Sequence, residues 1–403
     1  MKYRDGMLNV LSSLVAILAG LLVGLVVLLI TDANRALPAF QQILTFGFFA
    51  PDGSFSLRNF GQVLYFATPL IMTGLSVGFA YKTGLFNIGA SGQFTFGAFA
   101  AIYVAVEFTF LPYPVRIISS LLIAMLAGAI WGSIPGLLKA YRNVNEVISC
   151  IMTNYIGMFL VNYLILNSIF DSGRNSTLHV PEGANMPLWG LDNIFRDHVR
   201  ASAANSGIIV AILAAIVIYI ILEKTTFGYE LKACGFNRDA AKYAGINENR
   251  NIIFSMSISG ALAGLGGALH YLSGAGITMN VVDNLAMEGF TGISVALLGL
   301  NNPIGIIFTG ILIAYLQLGG GTMQHFGFVP QIIEIVIAVI IYFSAFVMLV
   351  KMYLQKVKFN KRDIEKIDNI NDIDKLDKND KLDENNKNIE SHKLDENSTE
   401  GGE

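Results

Sequence analysis

Nine apolar runs, each close to the length of a membrane-crossing helix, decide what this chain can fold into. They fall at 8–30, 62–80, 90–110, 115–138, 147–170, 207–222, 252–273, 303–318 and 331–350. A helix needs about 20 apolar residues to cross the hydrocarbon core, and a backbone in lipid must satisfy its own hydrogen bonds, so the runs predict helices. A tenth segment, 284–300, is shorter and more polar and reads as a broken span. The expectation is an all-α polytopic membrane protein of about ten transmembrane helices.

Charge divides the chain in two. From 359 to 403 it carries 8 Lys/Arg and 14 Asp/Glu and repeats KLDEN at 381–385 and 393–397, which reads as a disordered, charged cytoplasmic tail. Residues 1–358 hold 19 basic and 16 acidic groups, whereas a soluble domain carries roughly a quarter charged residues. They form a transmembrane domain, and a water-soluble globule is excluded. The first run exceeds the roughly 7–15 apolar residues of a signal-peptide core and reads as an uncleaved helix.

Placement of Lys and Arg sets the orientation. With the N-terminus inside, the inner segments hold 13 basic residues of the body and the outer segments 6. Both termini are therefore expected in the cytoplasm. The long outer loop is 171–206, a place for contact with an extracytoplasmic partner, and the long inner loop is 223–251.

Two polar interruptions stand out. GLFNIGASGQFTFGA at 84–98 places four glycines, Asn87 and Gln93 between apolar runs. Asn87, Ser91 and Gln93 can hydrogen-bond a sugar hydroxyl or a base edge where a helix is broken, and Phe86 or Phe94 can supply an apolar face. Equally, Gly89 and Gly92 can bring helices together while the amides bridge them. Asn154 and Asn145 carry the same two readings, with Asn145 also placed to cap a helix beginning near Glu146. Glu334 is the most isolated carboxylate of an apolar run and a candidate for the pathway, although it lies about a turn from the outer end. Glu288 and Asp283 flank the broken tenth span. His270 has no ligand-spaced partner and reads as a packed or interfacial residue. Blocks 62–170 and 252–350 start in opposite directions with glycine-rich breaks in comparable places, which allows an inverted repeat.

The second interruption is the inner loop. Gly235 allows a turn, Asn237 is a good N-cap, Asp239 suits a first turn and Gly245 a stop. The result is a helix of about two turns outside the bilayer, either an ordinary positive-inside loop or a short rigid piece that fits a groove on another protein.

The sequence ACGFNRDAAKYAGI at 233–246 resembles the coupling loop of permease subunits in bacterial ABC importers. GLFNIGASGQ at 84–93 and NEVISCIMTNYIG at 145–157 resemble the nucleoside or simple-sugar branch, related to ribose and branched-chain amino acid permeases. The likeness covers roughly 60–350 in matching order. Ser91 stands where that family often has Glu, so no acidic role is carried over to it. The resemblance implies an ATPase-coupling helix built from Gly235, Asn237, Arg238, Asp239, Ala240, Ala241, Lys242, Tyr243 and Gly245. It also implies a bacterial cytoplasmic membrane setting. The expected partners are an ATP-binding ABC subunit, a second permease subunit, an extracytoplasmic substrate-binding protein and lipid, with no nucleic acid.

The chain contains no Gly-Lys dipeptide, which excludes a GxxxxGK[ST] phosphate loop and places ATP hydrolysis on a partner. It has no HExxH motif, and Cys150 and Cys234 form no metal-ligand spacing. A non-enzymatic permease without cofactor or metal is expected, importing nucleosides or related simple sugars by alternating access. The competing reading is an ion-coupled secondary transporter using Glu334, Glu288 or Asp283.

Overall fold

Helices account for nearly all the regular structure in the computed structural model, which describes residues 2–45, 56–196, 201–344, 346 and 352. In order they are α1 (Lys2–Thr31), α2 (Ala33–Thr45), α3 (Leu57–Lys82), α4 (Ala90–Glu107), α5 (Tyr113–Arg142) and α6 (Glu146–Asn167). After them come α7 (Leu191–Ile194), α8 (Gly207–Lys224), α9 (Thr226–Phe236), α10 (Arg238–Tyr243), α11 (Glu248–Tyr271), α12 (Met287–Leu298), α13 (Pro303–Gly321) and α14 (Pro330–Ser344). Among the described residues, six helices are long and apolar enough to cross a membrane: α3, α5, α6, α8, α11 and α13, the last extended by the turn to Phe326. The packing below belongs to residues 13–347, which cluster as one unit; residues 1–12 and 348–403 make a second. The expected tail, 359–403, lies outside the described residues.

Local chemistry sets several boundaries. Asn145 caps α6 by accepting a hydrogen bond from Val147 N at 2.8 Å, as expected. Asn302 caps α13 through Ile304 N at 3.0 Å, with Pro303 in the first turn where a missing N–H costs nothing. α5 stops at Asn143, whose φ of 49° is the left-handed conformation that Asn tolerates. Between α6 and α8 the chain forms a two-residue antiparallel pair, Phe170–Asp171 with Ser176–Thr177, a 3-10 turn at Glu182–Ala184 and α7.

α3 and α11 lie at the centre, packed on each other and ringed by α4, α5, α12 and α13. The α4, α5 and α11 axes approach to backbone contact. A Cβ on Gly97 would lie 2.2 Å from Gly264 Cα, and one on Gly260 would lie 2.2 Å from Gly128 O. This is the small-residue packing that helices use in lipid, where apolar burial gives no drive to associate. α5, α6 and α8 turn apolar residues such as Leu126, Ile156 and Val217 outward.

Two helices begin inside the bundle rather than at its ends. Asn87, in the non-helical segment 83–89, reaches back to Ser76, six residues before the end of α3 and so about 9 Å up that helix at 1.5 Å per residue. The chain therefore re-enters before α4 starts. α12 is similar: after α11 the chain runs without helix from 273 to 286, and the 12-residue α12 spans only about 18 Å. The interruption expected at 84–98 is a non-helical connection at 83–89 followed by the unbroken α4, and the broken span expected at 284–300 is the single short helix α12.

Candidate substrate pathway and coupling loop

The starts of the two short helices meet. Ser91 Oγ, in the first turn of α4, donates to Ala286 O, the residue before α12, at 2.8 Å. A Cβ on Gly289 would come within 2.4 Å of Ser91 Cα, so the contact requires glycine. Two helix N-termini, whose first-turn amides have no partners within their own helices, are thus brought together, the arrangement that half-helices use around polar cargo. No metal-ligating group of His, Cys, Asp and Glu occurs among the described residues.

Beside this junction lies a buried node of side-chain amides and hydroxyls. Asn87 Nδ2 donates to Gln93 Oε1 at 2.8 Å and to Ser259 Oγ at 2.6 Å, while Gln93 Nε2 returns a bond to Asn87 Oδ1 at 3.0 Å. Ser259 also donates to Ser76 O at 2.6 Å, and Thr83 Oγ1 donates to Ser255 Oγ at 2.8 Å. Asn87, Gln93, Ser76 and Ser259 are fully buried. In this conformation the Asn87–Gln93 amide pair ties the break to α3 and α11.

Asn154, on α6, performs a different task. The N-cap of α4 is Gly89, which has no side chain with which to satisfy the first-turn amides. Asn154 Oδ1 accepts from Gly92 N at 2.8 Å and its Nδ2 donates to Ile88 O at 3.0 Å. It acts as an N-cap supplied by another helix. The spacing of 62 residues hid this role from any local sequence signal.

The remaining candidates scatter. Phe86 is half-buried within the break, and Phe94 is fully buried against His270, with ring centroids 6.2 Å apart. His270 is packed among Tyr65, Phe94 and Tyr271, as a packed histidine should be. Glu334 is exposed on α14 and is not brought to the junction. Asp283 accepts a bond from Asn162 at 3.4 Å, and Glu288 is half-buried in the first turn of α12.

Between α8 and α11, Asn237 caps α10 by accepting from Ala240 N at 3.0 Å. Gly245, at φ +82°, ends it with the paired bonds Gly245 N to Lys242 O and Ile246 N to Ala241 O, both 3.0 Å. Only Ala241 of α10 is buried; Asp239, Ala240 and Lys242 are exposed and Arg238 is half-buried. The turn expected at Gly235 is absent, because α9 continues through it to Phe236. Glycine is there for closeness: a Cβ on Gly235 would lie 2.4 Å from Lys82 O. Nor did the sequence disclose α9 as a helix. It is capped by Thr225, which accepts from Gly228 N at 3.1 Å, and is tied to α11 by Glu230–Arg250 at 2.9 Å. Phe236 and Tyr243 are 90% and 93% exposed, a large apolar outlay for a loop outside the bundle. A groove of about 490 Å³ opens between α9 and α10, lined by Tyr229, Ala233, Phe236, Ala240 and Ala244.

A family profile described as branched-chain amino acid transport system / permease component matches residues 59–350. The nucleoside ABC transporter permease protein NupB of Lactococcus lactis subsp. cremoris (strain MG1363) is 38% identical, over 87% of this chain and 94% of its own. The guanosine ABC transporter permease protein NupP of Bacillus subtilis (strain 168) is 38% identical, over 87% of this chain and 97% of its own. The glucose ABC transporter permease protein TsgB13 of Haloferax volcanii is 32% identical, over 75% and 80% of the two chains. No solved structure matches the chain.

Proposed function

We propose that this chain, which belongs to the branched-chain amino acid transport system / permease component family, is the membrane subunit of an ATP-driven ABC importer for nucleosides or related simple sugars. The observation that carries the cargo class is the likeness to NupB and NupP along nearly their whole length. Partner subunits hydrolyse ATP, a second permease completes the path, and an extracytoplasmic binding protein delivers cargo. Both termini and the α9–α10 loop face the cytoplasm, in keeping with the excess of Lys and Arg on those segments.

The packing supports an inverted repeat of α3–α6 and α11–α14. Exchanging the two sets maps the pair α4–α5 onto α12–α13, α4–α6 onto α12–α14, and α5–α6 onto α13–α14. It also maps α5–α11 onto α13–α3 and α4–α11 onto α12–α3, and every one of these pairs is in contact. The Ser91–Ala286 junction then lies where the repeats meet, and alternating access is a change in how they close around it. Ser91, Asn87, Gln93, Asn154 and Phe86 form or flank that junction and are the residues assigned to the pathway.

Uptake of labelled guanosine by cells that express the transporter, with and without its ATPase subunit, tests the reading. Uptake should vanish without the ATPase and should be displaced by unlabelled nucleosides more strongly than by glucose or ribose. Unchanged uptake without the ATPase overturns the importer reading, and stronger displacement by the sugars overturns the cargo.

A further inference from the structure

The loop that carries α10 touches the bundle at a place where neither partner has a side chain. A Cβ on Gly235 would lie 2.4 Å from Lys82 O and 3.0 Å from Gly84 N. A Cβ on Gly84, whose φ is +72°, would lie 3.3 Å from Gly235 Cα. Facing glycines bring the last turn of α9 against the backbone that opens the α3–α4 break. No rotamer can absorb a push across such a contact, because close-packed backbone transmits strain.

Either side of this contact is built to carry movement. The start of α9 is fastened: a Cβ on Gly228 would meet Ile221 O at 2.2 Å, and Glu230 pairs with Arg250 at 2.9 Å. Its tip, Gly235, adjoins α10. On the other side, Gly84 lies three residues before Asn87, whose amide holds Ser76, Gln93 and Ser259 at 3.3, 2.8 and 2.6 Å. Four residues after Asn87, Ser91 reaches the start of α12. A continuous path of contacts therefore joins α10 to the meeting point of the two short helices.

We propose that the Gly84–Gly235 contact is where movement of the α9–α10 loop enters the bundle, and that Asn87 is the positioning residue whose amide bonds hold the junction in its present conformation. The proposal rests on the ATP-driven reading above. Displacing Gly235 draws the 83–89 segment with it, strains the bonds from Asn87 to α3 and α11, and frees the first turn of α4 to part from α12.

Hydrogen exchange on the complete transporter, compared between its ADP and ATP states, tests this without relying on transport. In the wild type, peptides covering 226–246 and 83–93 should change together. In Gly235→Ala the change at 226–246 should persist, the change at 83–93 should be lost, and cargo moved per ATP should fall about tenfold, within the usual range of coupling between sites. Ser259→Ala, which takes one bond from Asn87 and leaves the glycine contact intact, should raise exchange at 83–93 before ATP is added. A silent 83–93 segment in a wild type whose 226–246 segment responds overturns the proposal, even if the glycine variant fails to assemble. So does wild-type cargo per ATP in Gly235→Ala. Both results leave the importer reading standing, whereas wild-type uptake without any ATPase subunit removes that reading and the proposal together.

Discussion

Replacing Asn154 with Ala removes both side-chain bonds that α6 makes to the start of α4. Gly92 N loses an acceptor at 2.8 Å and Ile88 O loses a donor at 3.0 Å, and Gly89 has no side chain to take over the cap. Leaving a buried donor or acceptor without a partner costs about 1–3 kcal/mol, so two such groups set an upper figure of about 6 kcal/mol. Hydrogen bonds between membrane helices measure nearer 0.6 and at most about 1.7 kcal/mol, because the unfolded chain in lipid also finds partners. The expected loss is therefore about 1–3 kcal/mol. Reversible unfolding of the purified protein by titration with SDS, followed by circular dichroism, reads it. Tyr155→Ala is the control: the neighbouring residue on α6 is 49% exposed and turns away from α4, so it should stay within about 0.5 kcal/mol of the wild type. Hydrogen exchange should rise at 88–93 in the Asn154 variant and remain unchanged in the control. Equal stability of the two variants, or unaltered exchange at 88–93, refutes the assignment of Asn154 as a cap supplied in trans.

Other perturbations separate packing from coupling. Gly260→Leu places a Cβ 2.2 Å from Gly128 O in a crossing where backbone cannot yield; overpacking of this kind costs about 1–3 kcal/mol or more, and the folded yield in membranes should collapse. Asn237→Ala removes the cap of α10 at a cost of about 0.5–2 kcal/mol, which should speed exchange at 238–245 and lower ATP-driven uptake while the protein stays folded. Glu146→Gln breaks the pair with Lys139 at 2.9 Å; with both side chains only about one-sixth exposed, the cost should fall between surface and buried ion pairs, about 1–2 kcal/mol by SDS titration.

Much of this architecture is written locally and can be read without coordinates. Asn145, Asn237 and Gly245 act within a few residues of themselves, so their capping roles follow from residue type and position. The interruption at 83–89 was legible because glycines and amides oppose helix formation inside apolar runs. What stayed hidden depends on partners far along the chain. Asn154 caps a helix 62 residues away, and Gly235 is glycine because of Lys82 O, not because a turn falls there. The helix α2 escaped the reading because its apolar face is short and interrupted by Pro38; it is settled by burying Ala36, Ala39 and Ile43 near the turn at 322–326. Asn87 and Gln93 illustrate the same limit: their chemistry suits cargo or protein equally, and only the fold brings Ser76 and Ser259 within reach.

The most direct test places the complete transporter, with its ATPase subunits and external binding protein, in proteoliposomes whose ion gradients have been collapsed with ionophores. Labelled guanosine should accumulate when ATP is supplied on the ATPase side and should stop when ADP replaces it. Accumulation that follows a proton or sodium gradient, in vesicles carrying this chain without any ATPase subunit, would contradict the account.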